Sequence, residues 1–225
     1  TEFVATASES ACAPSVSGTV IDSNDATKAL TGDENVLVRF ASAALCTITA
    51  RAKNSATIVE KKIAGVEVES SLTISGIESA SVVFSATDSR GYQSTKTVKF
   101  TLIPYVKLTC NPSDAMTEPS SGTASINVSG NVYNGTFGLK DNSLPVKYRV
   151  KTSGGSYGEY GDVAPVLDGN TYALAISLSD LDYQKEYKVE IVASDALGSV
   201  TKIATVLKSI PLADWGENDF RFNVP

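Results

Sequence analysis

"VVFSATDSRG" (82–91) and "VEIVASDALG" (189–198) decide how this chain is read. They align at one constant offset: Val82 with Val189, Phe84 with Ile191, Ala86 with Ala193, Asp88 with Asp195 and Gly91 with Gly198. The same offset carries Ile103 and Pro104 onto Ile210 and Pro211. Within each copy, apolar residues recur at every second position and then stop at an Asp…Gly pair. Period-two alternation marks a strand with one buried face. An Asp side chain bonds the backbone ahead of it and Gly accepts positive φ, so each copy predicts a strand, a turn and a following strand. Pro104 and Pro211 end those last strands, where a ladder donor is no longer needed.

The rest of the chain has the same character. "NVLVRF" (35–40) places Val36, Val38 and Phe40 on one face, and "PVKYRV" (145–150) does so with Val146, Tyr148 and Val150. "YKVEIVA" (187–193) alternates Tyr187, Val189, Ile191 and Ala193 against Lys188, Glu190 and Val192. No long stretch has helical period. One apolar and one polar face per strand suits antiparallel sheets packed face to face. The chain is therefore predicted to be all-β, a tandem of immunoglobulin-like (fibronectin-III-like) antiparallel β-sandwiches.

A second echo, "CAPS" (12–15) against "CNPS" (110–113), marks where each copy starts. The expected division is an N-terminal extension over 1–10, one sandwich over 11–104, a second over 105–211, and a C-terminal connector over 212–225. "IPYVKLTC" (103–110) leaves little linker, which predicts a fairly stiff rod. The second copy is longer in two stretches, "GNVYNGTFGLKDNS" (130–143) and "SGGSYGEYGDVAPVLDGNTY" (153–172).

Composition removes several function classes. The chain has no histidine, which takes away the usual general base, the Ser-His and Cys-His pairs and the commonest zinc ligand. Its net charge is −6 and its basic residues form no cluster, so nucleic acid is not an expected partner. No apolar run is long enough to span a bilayer as a helix, and membrane insertion is not expected. The first fifteen residues do not show the basic, apolar and small-residue regions of a signal peptide, which reads as a mature or excised start.

Three cysteines, Cys12, Cys46 and Cys110, are an odd count for a disulfide framework. Cys46 alternates with Ile48, Ala50 and Ala52, which reads as a buried thiol on an apolar strand face. A Cys12–Cys46 bridge is the alternative. Asp22, Asp25, Asp33 and Glu34 offer the oxygen chemistry calcium uses, yet they lack the spacing of a calcium loop, and turn-forming Asp explains them equally well. No metal or other cofactor is assigned, and no catalytic residue.

The binding candidates lie in the two longer stretches. Loop aromatics flanked by Gly and Asn offer contact area at low entropy cost, with amides to hydrogen-bond. Tyr133, Asn134, Phe137, Tyr157 and Tyr160 are the ligand-binding candidates, and packing of Tyr133 and Phe137 onto their own sandwich is the competing reading. "NVS" (127–129) and "NGT" (134–136) match the glycosylation acceptor pattern, which matters in a eukaryotic secreted protein.

At this point "GNVYNGTFG" (130–138), "NSLPVKYRVKTSGGSY" (142–157), "LDYQKEYKVEIVASDALGSV" (181–200) and "PLADWGENDFRFNVP" (211–225) carry a resemblance. The chain resembles the immunoglobulin-like region of tail-tip or baseplate minor structural proteins of siphophages and prophages of Gram-positive hosts. "VIDSNDATKALTGDENVLVRFASAA" (20–44) is similar to the opening of the preceding repeat in such proteins. The resemblance runs from about Ser15 to Pro225. It implies a virion component at the host-facing end of the tail, a spacer with a second role in host cell-wall glycan attachment, and no enzyme.

Its implied partners are other tail or baseplate proteins, the protein's own downstream domains in a homotrimer, and bacterial cell-wall glycan. Trp215, Phe220 and Phe222 would then belong to a connector leading into a further module, since "FRFNV" is strand-like and no strand follows it. Two readings from other classes stand beside this one: a bacterial surface adhesin repeat, and the accessory module of a carbohydrate-active enzyme.

Overall fold

The computed structural model describes residues 9–209, 213–215 and 220–222. Its contacts divide the chain into two units. One comprises Thr1–Tyr105 together with Thr136–Asp141, the other Val106–Gly135 together with Asn142–Pro225.

The first unit holds two short helices, α1 (Glu9–Cys12) and α2 (Asp25–Thr31). Its strands are β1 (Ser15–Asp22), β2 (Val36–Val38), β3 (Ala43–Arg51), β4 (Ile58–Ile63), β5 (Val66–Glu67), β6 (Ser71–Ser75), β7 (Ser81–Asp88), β8 (Gln93–Lys99) and β9 (Thr101–Ile103). They form sheets β1-β3-β6 and β5-β4-β7-β8, with β2 beside β9. Val20, Cys46, Ile48, Ile63, Val82 and Phe84 come from both sheets and form one buried cluster.

The second unit contains β10 (Asn111–Pro112), β11 (Ala115–Met116), β12 (Ala124–Asn131), β13 (Val146–Thr152), β14 (Gly161–Val163), β15 (Val166–Asp168), β16 (Thr171–Leu178), β17 (Tyr187–Ser194) and β18 (Ser199–Leu207). Its sheets run β10-β12-β16-β15 and β11-β18-β17-β13-β14. That order is the immunoglobulin arrangement, first, second and fifth strands in one sheet and third, sixth and seventh in the other. Tyr187, at the start of the penultimate strand, accepts a 2.8 Å hydrogen bond from the Asp182 amide through its hydroxyl. This is the tyrosine corner such sandwiches use between the two sheets. The all-β, immunoglobulin-like expectation holds for both units.

The turns that led to this reading form as the residues dictate, with one difference. Asp88 Oδ1 accepts from the Arg90 and Tyr92 amides at 2.9 and 3.2 Å, and Asp195 Oδ1 from the Leu197 and Gly198 amides at 2.8 and 3.0 Å. Gly91 has φ +86, as expected, whereas Gly198 keeps a φ that any residue adopts. The Asp195 carboxylate and the Asp195 amide, which donates to Gly198 O at 2.8 Å, close that second turn together.

Four further expectations are corrected. The sheets are not purely antiparallel: β2 runs parallel to β9 and β11 parallel to β18. In "NVLVRF" the alternation fails because Leu37 and Val38 are both fully buried, and the chain turns at Phe40 with φ +64. Strand β2 is covered on both sides, so it reads as an apolar run rather than an alternating one. "FRFNV" does have a partner, but it precedes: β19 (Ala213–Trp215) pairs with β20 (Phe220–Phe222), Trp215 opposite Phe220. The side chains of these three connector candidates lie outside what is described. Finally, residues 136–141 belong to the first unit by their contacts. There Phe137 is 0% exposed, its ring 5.9 Å from that of Tyr105, and the Leu139 amide donates to Leu30 O at 3.0 Å.

Helix α2, which no periodicity announced, is fixed by polar contacts. Asn24 caps it by accepting from the Ala26 amide. Beneath it the Asp22 carboxylate, 1% exposed, accepts from Thr27 Oγ1 at 2.5 Å, Ser42 Oγ at 2.7 Å and the Asn24 amide at 2.9 Å. A buried carboxylate is tolerated only when its lone pairs are satisfied in this way.

Candidate functional site

The outer face of the five-stranded sheet in the second unit carries the most organised cluster of exposed polar and aromatic side chains. On β13, Val146 is buried and Tyr148 and Val150 pack against the core, so Lys147, Arg149 and Lys151 point outward. Strand β17 lies alongside with Arg149 opposite Glu190 and Lys151 opposite Lys188. Cross-strand partners on one face are close enough to interact directly. Arg149 Nε donates to Glu190 Oε1 at 2.7 Å.

The segment after β13 then folds back over this face. The Ser153 amide bonds Glu186 O, the Gly155 amide bonds Thr152 O, and the Gly158 amide bonds Val150 O at 3.0 Å. Gly161 resumes the ladder opposite Tyr148. These bonds hold Tyr157 and Tyr160 beside β13. The Arg149 guanidinium carbon stands 4.6 Å from the centre of each tyrosine ring, and Lys151 Nζ stands 4.5 Å from that of Tyr157. Such distances are those of cation–π contact. The Tyr160 hydroxyl donates to the same Glu190 oxygen at 2.7 Å.

The electrostatics follow from those contacts. The bond from Arg149, and then that from Tyr160, holds the Glu190 carboxyl below the usual glutamate range. The Tyr160 hydroxyl's own bond to Glu190 pushes its phenol up, and Arg149's bond to Glu190 raises the guanidinium. At neutral pH Arg149 is therefore positive, Glu190 negative and the Tyr160 phenol protonated.

The sequence candidates separate into three places. Tyr157 and Tyr160 come together around Arg149, and Tyr160 is 44% exposed. Tyr133 and Asn134 follow β12 of the other sheet. Tyr133 is half-buried against Gly135, its carbonyl accepts from Asn142 Nδ2, and the Asn134 amide bonds Asn170 Oδ1. Phe137 is not a surface aromatic at all, since its ring is enclosed in the first unit. Sequence reasoning missed Arg149, Lys151 and Glu190. The alternation of "VKYRVKT" and "YKVEIVA" does place them outward, but only the strand register shows that they meet.

The other residues weighed for chemistry have local explanations. Cys12, Cys46 and Cys110 are all free, so no Cys12–Cys46 bridge forms. Burial pushes the Cys46 thiol up to about 11. Asp25 pairs with Lys28 at 2.8 Å, and Asp33 accepts from the amide and side chain of Asn35. Among the described residues, no three His, Cys, Asp or Glu side chains converge as a metal-holding group.

No family model and no curated protein matches the chain. Among solved structures it is similar to Dpr2 Ig1-Ig2, crystallised in complex with DIP-Theta Ig1-Ig3, at 13% identity and a TM-score of 0.33. That match covers 84% of this chain and 64% of the other, short of two thirds of its length. The chain is also similar to a chimeric titin Z1Z2-Z1Z2 tandem (17% identity, TM-score 0.27, 76% and 93% covered). A third likeness is to the titin Ig tandem domains A164-A165 (14%, 0.26, 87% and 96%). At these TM-scores the likenesses carry no argument of their own, and the fold rests on the strand order and register above.

Proposed function

We propose that this chain is a non-enzymatic tandem of immunoglobulin-like sandwiches from the tail tip or baseplate of a bacteriophage. In that role it acts as a spacer, and its second sandwich contacts the surface of a Gram-positive host. The observation that carries the contact surface is the Tyr157–Arg149–Tyr160 cluster. Two tyrosines are held by backbone hydrogen bonds beside a sheet face, one of them well exposed, with charged donors between them. Rigid aromatic area with polar groups alongside is what a saccharide or protein surface engages at low entropic cost. The tail-tip assignment is supported by the sequence resemblance alone. Its partners would be other tail proteins and the rest of its own polypeptide.

The test is binding of the purified chain to isolated cell walls of Gram-positive species. A Tyr157→Ala/Tyr160→Ala variant runs beside it, with its fold checked by thermal melting. Saturable binding lost in the folded variant is the expected result. Binding that survives the double substitution, or no binding to any wall, overturns the contact role. An antibody against the chain should also label the tail tip of particles induced from a strain carrying the gene, and labelling elsewhere would remove the tail-tip assignment.

A further inference from the structure

Resting on that reading of the cluster as a contact site, we propose that the group it binds is an oxyanion, a phosphate, sulfate or carboxylate carried on a polysaccharide. The argument is an inventory of hydrogen-bonding capacity. A guanidinium has five N–H donors in a planar fork. Arg149 spends Nε on Glu190 and also interacts with the Tyr160 hydroxyl, and among the described residues no second carboxylate pairs with its guanidinium. Lys151 has three donors; it stands over the Tyr157 ring and, among the described residues, forms no ion pair within 4 Å. The carboxylate on the sheet face, Glu190, is occupied by Arg149 and Tyr160 together.

The unspent capacity on the sheet face is therefore mainly donor; the acceptors beside it are the Tyr157 hydroxyl and the exposed Glu159 carboxylate of the loop. Neutral sugar hydroxyls both give and take hydrogen bonds and are best met by a mixture of donors and acceptors. A group with oxygens that only accept suits this inventory, and a guanidinium fork matches such oxygens two at a time. Glu190 is a positioning residue here, since by holding Nε it leaves the terminal amines to the ligand.

The surrounding charges do not reverse this. Lys147 pairs with Asp162 at 3.9 Å, and Lys188 pairs with Glu186 at 2.9 Å and donates to Thr205. Those two pairs balance. Glu159, exposed between the tyrosines, makes no ion pair among the described residues. Arg149 and Lys151 are matched in number by Glu190 and Glu159, so what favours an oxyanion here is the unspent donors of the two cations and not a net positive charge, on a chain whose own net charge is −6. General attraction of polyanions by the whole molecule is thus not on offer, and any such binding must be local.

The experiment compares dextran sulfate with unsulfated dextran of the same length, both immobilised, over a salt series. The chain is run with Arg149→Gln, Lys151→Gln and Lys99→Gln, the last an exposed lysine of the first unit. Dextran sulfate should bind, unsulfated dextran should not, and affinity should fall as salt rises. Arg149→Gln should weaken binding about tenfold or more, as the loss of charge-assisted bonds implies. Lys151→Gln should weaken it about threefold and Lys99→Gln should leave it unchanged.

If Arg149→Gln fails to fold, Lys151→Gln decides, because it removes a ring contact and leaves the Arg149–Glu190 and Tyr160–Glu190 hydrogen bonds in place. Equal binding of the two dextrans overturns the proposal, as does a Lys99→Gln loss equal to that of Lys151→Gln. Wall binding that depends on Tyr157 and Tyr160 but ignores salt and Arg149→Gln would overturn the oxyanion while leaving the contact role standing. Absence of wall binding would overturn the contact role itself, with the dextran arms then judging the oxyanion separately.

Discussion

Arg149 and Glu190 stand directly opposite each other on β13 and β17, and Arg149 Nε reaches Glu190 Oε1 at 2.7 Å. The pair makes folding pH-dependent with a definite sign. The folded chain holds Glu190 ionised more strongly than the unfolded chain does, so its contribution is fully present above the ordinary glutamate value of 4.5 and is lost as pH falls below it. Asp88, bonded to Arg90 at 2.6 Å, acts in the same sense below 3.8. The melting temperature should decline as pH is lowered through this range. Glu190→Gln and Asp88→Asn should each flatten the decline, and a parallel decline in both variants would show that other carboxylates govern it.

Tyr160 titrates in the opposite sense. Its hydrogen bond to Glu190 favours the protonated phenol, so its ionisation is displaced upward in the folded chain. That stabilisation exists below the ordinary tyrosine value and is lost as pH rises through the folded one. Replacing Glu190 with Gln should bring the Tyr160 ionisation back down. Ultraviolet titration of phenolate, with Tyr160→Phe as the difference reference, reads this directly, and an unmoved midpoint would mean the bond does not persist in solution.

Phe137 offers a contrast between packing and contact. Its ring is fully enclosed beside Tyr105, so Phe137→Ala should cost about 3–5 kcal/mol of stability in urea unfolding. The same substitution should leave binding at Arg149 as it is in any chain that remains folded. A small stability loss accompanied by lost binding would put the ring back on the surface.

These residues also show what could be read before any coordinates. Strand identity was legible wherever one face is buried and the other wet, as in "YKVEIVA", because alternation is then forced. It was not legible in β2, covered on both sides, nor in α2, whose seven residues are held by an Asn cap and by Asp22 rather than by an apolar stripe. Tyr157 and Tyr160 stood out by residue type and loop composition. Arg149 and Glu190 did not, because each is an ordinary outward residue of its own strand, and only the register between β13 and β17 makes them a pair. Phe137 was misplaced for a related reason: a Gly- and Asn-rich stretch reads as surface, while what encloses it lies far off in sequence.

The cysteines should separate by reactivity. Cys46 is fully buried with its thiol pushed up to about 11, and Cys110 is buried with its thiol also raised. Cys12 is half-exposed. A thiol reagent at mildly alkaline pH should label Cys12 promptly in the folded chain and all three cysteines after denaturation. Fast labelling of Cys46 would contradict its enclosure between the sheets.

Gly130 and Gly198 test the backbone of the second unit in one pair of substitutions. A Cβ on Gly130 would sit 2.1 Å from Thr109 O, a backbone atom that already accepts from the Tyr172 hydroxyl at 2.9 Å. The Thr109 amide also bonds Asn131 O at 3.0 Å, so Thr109 is tied on two sides and has little room to yield. Gly130→Ala should therefore cost about 2–3 kcal/mol through forced displacement of packed backbone. At Gly198 a Cβ would meet nothing within 4 Å, and φ there is unstrained. Gly198→Ala should change stability by no more than about 0.5 kcal/mol. Paired urea titrations decide the matter: if both substitutions are neutral, β12 does not lie against Thr109 as described, and if both are costly, the second turn needs a glycine after all.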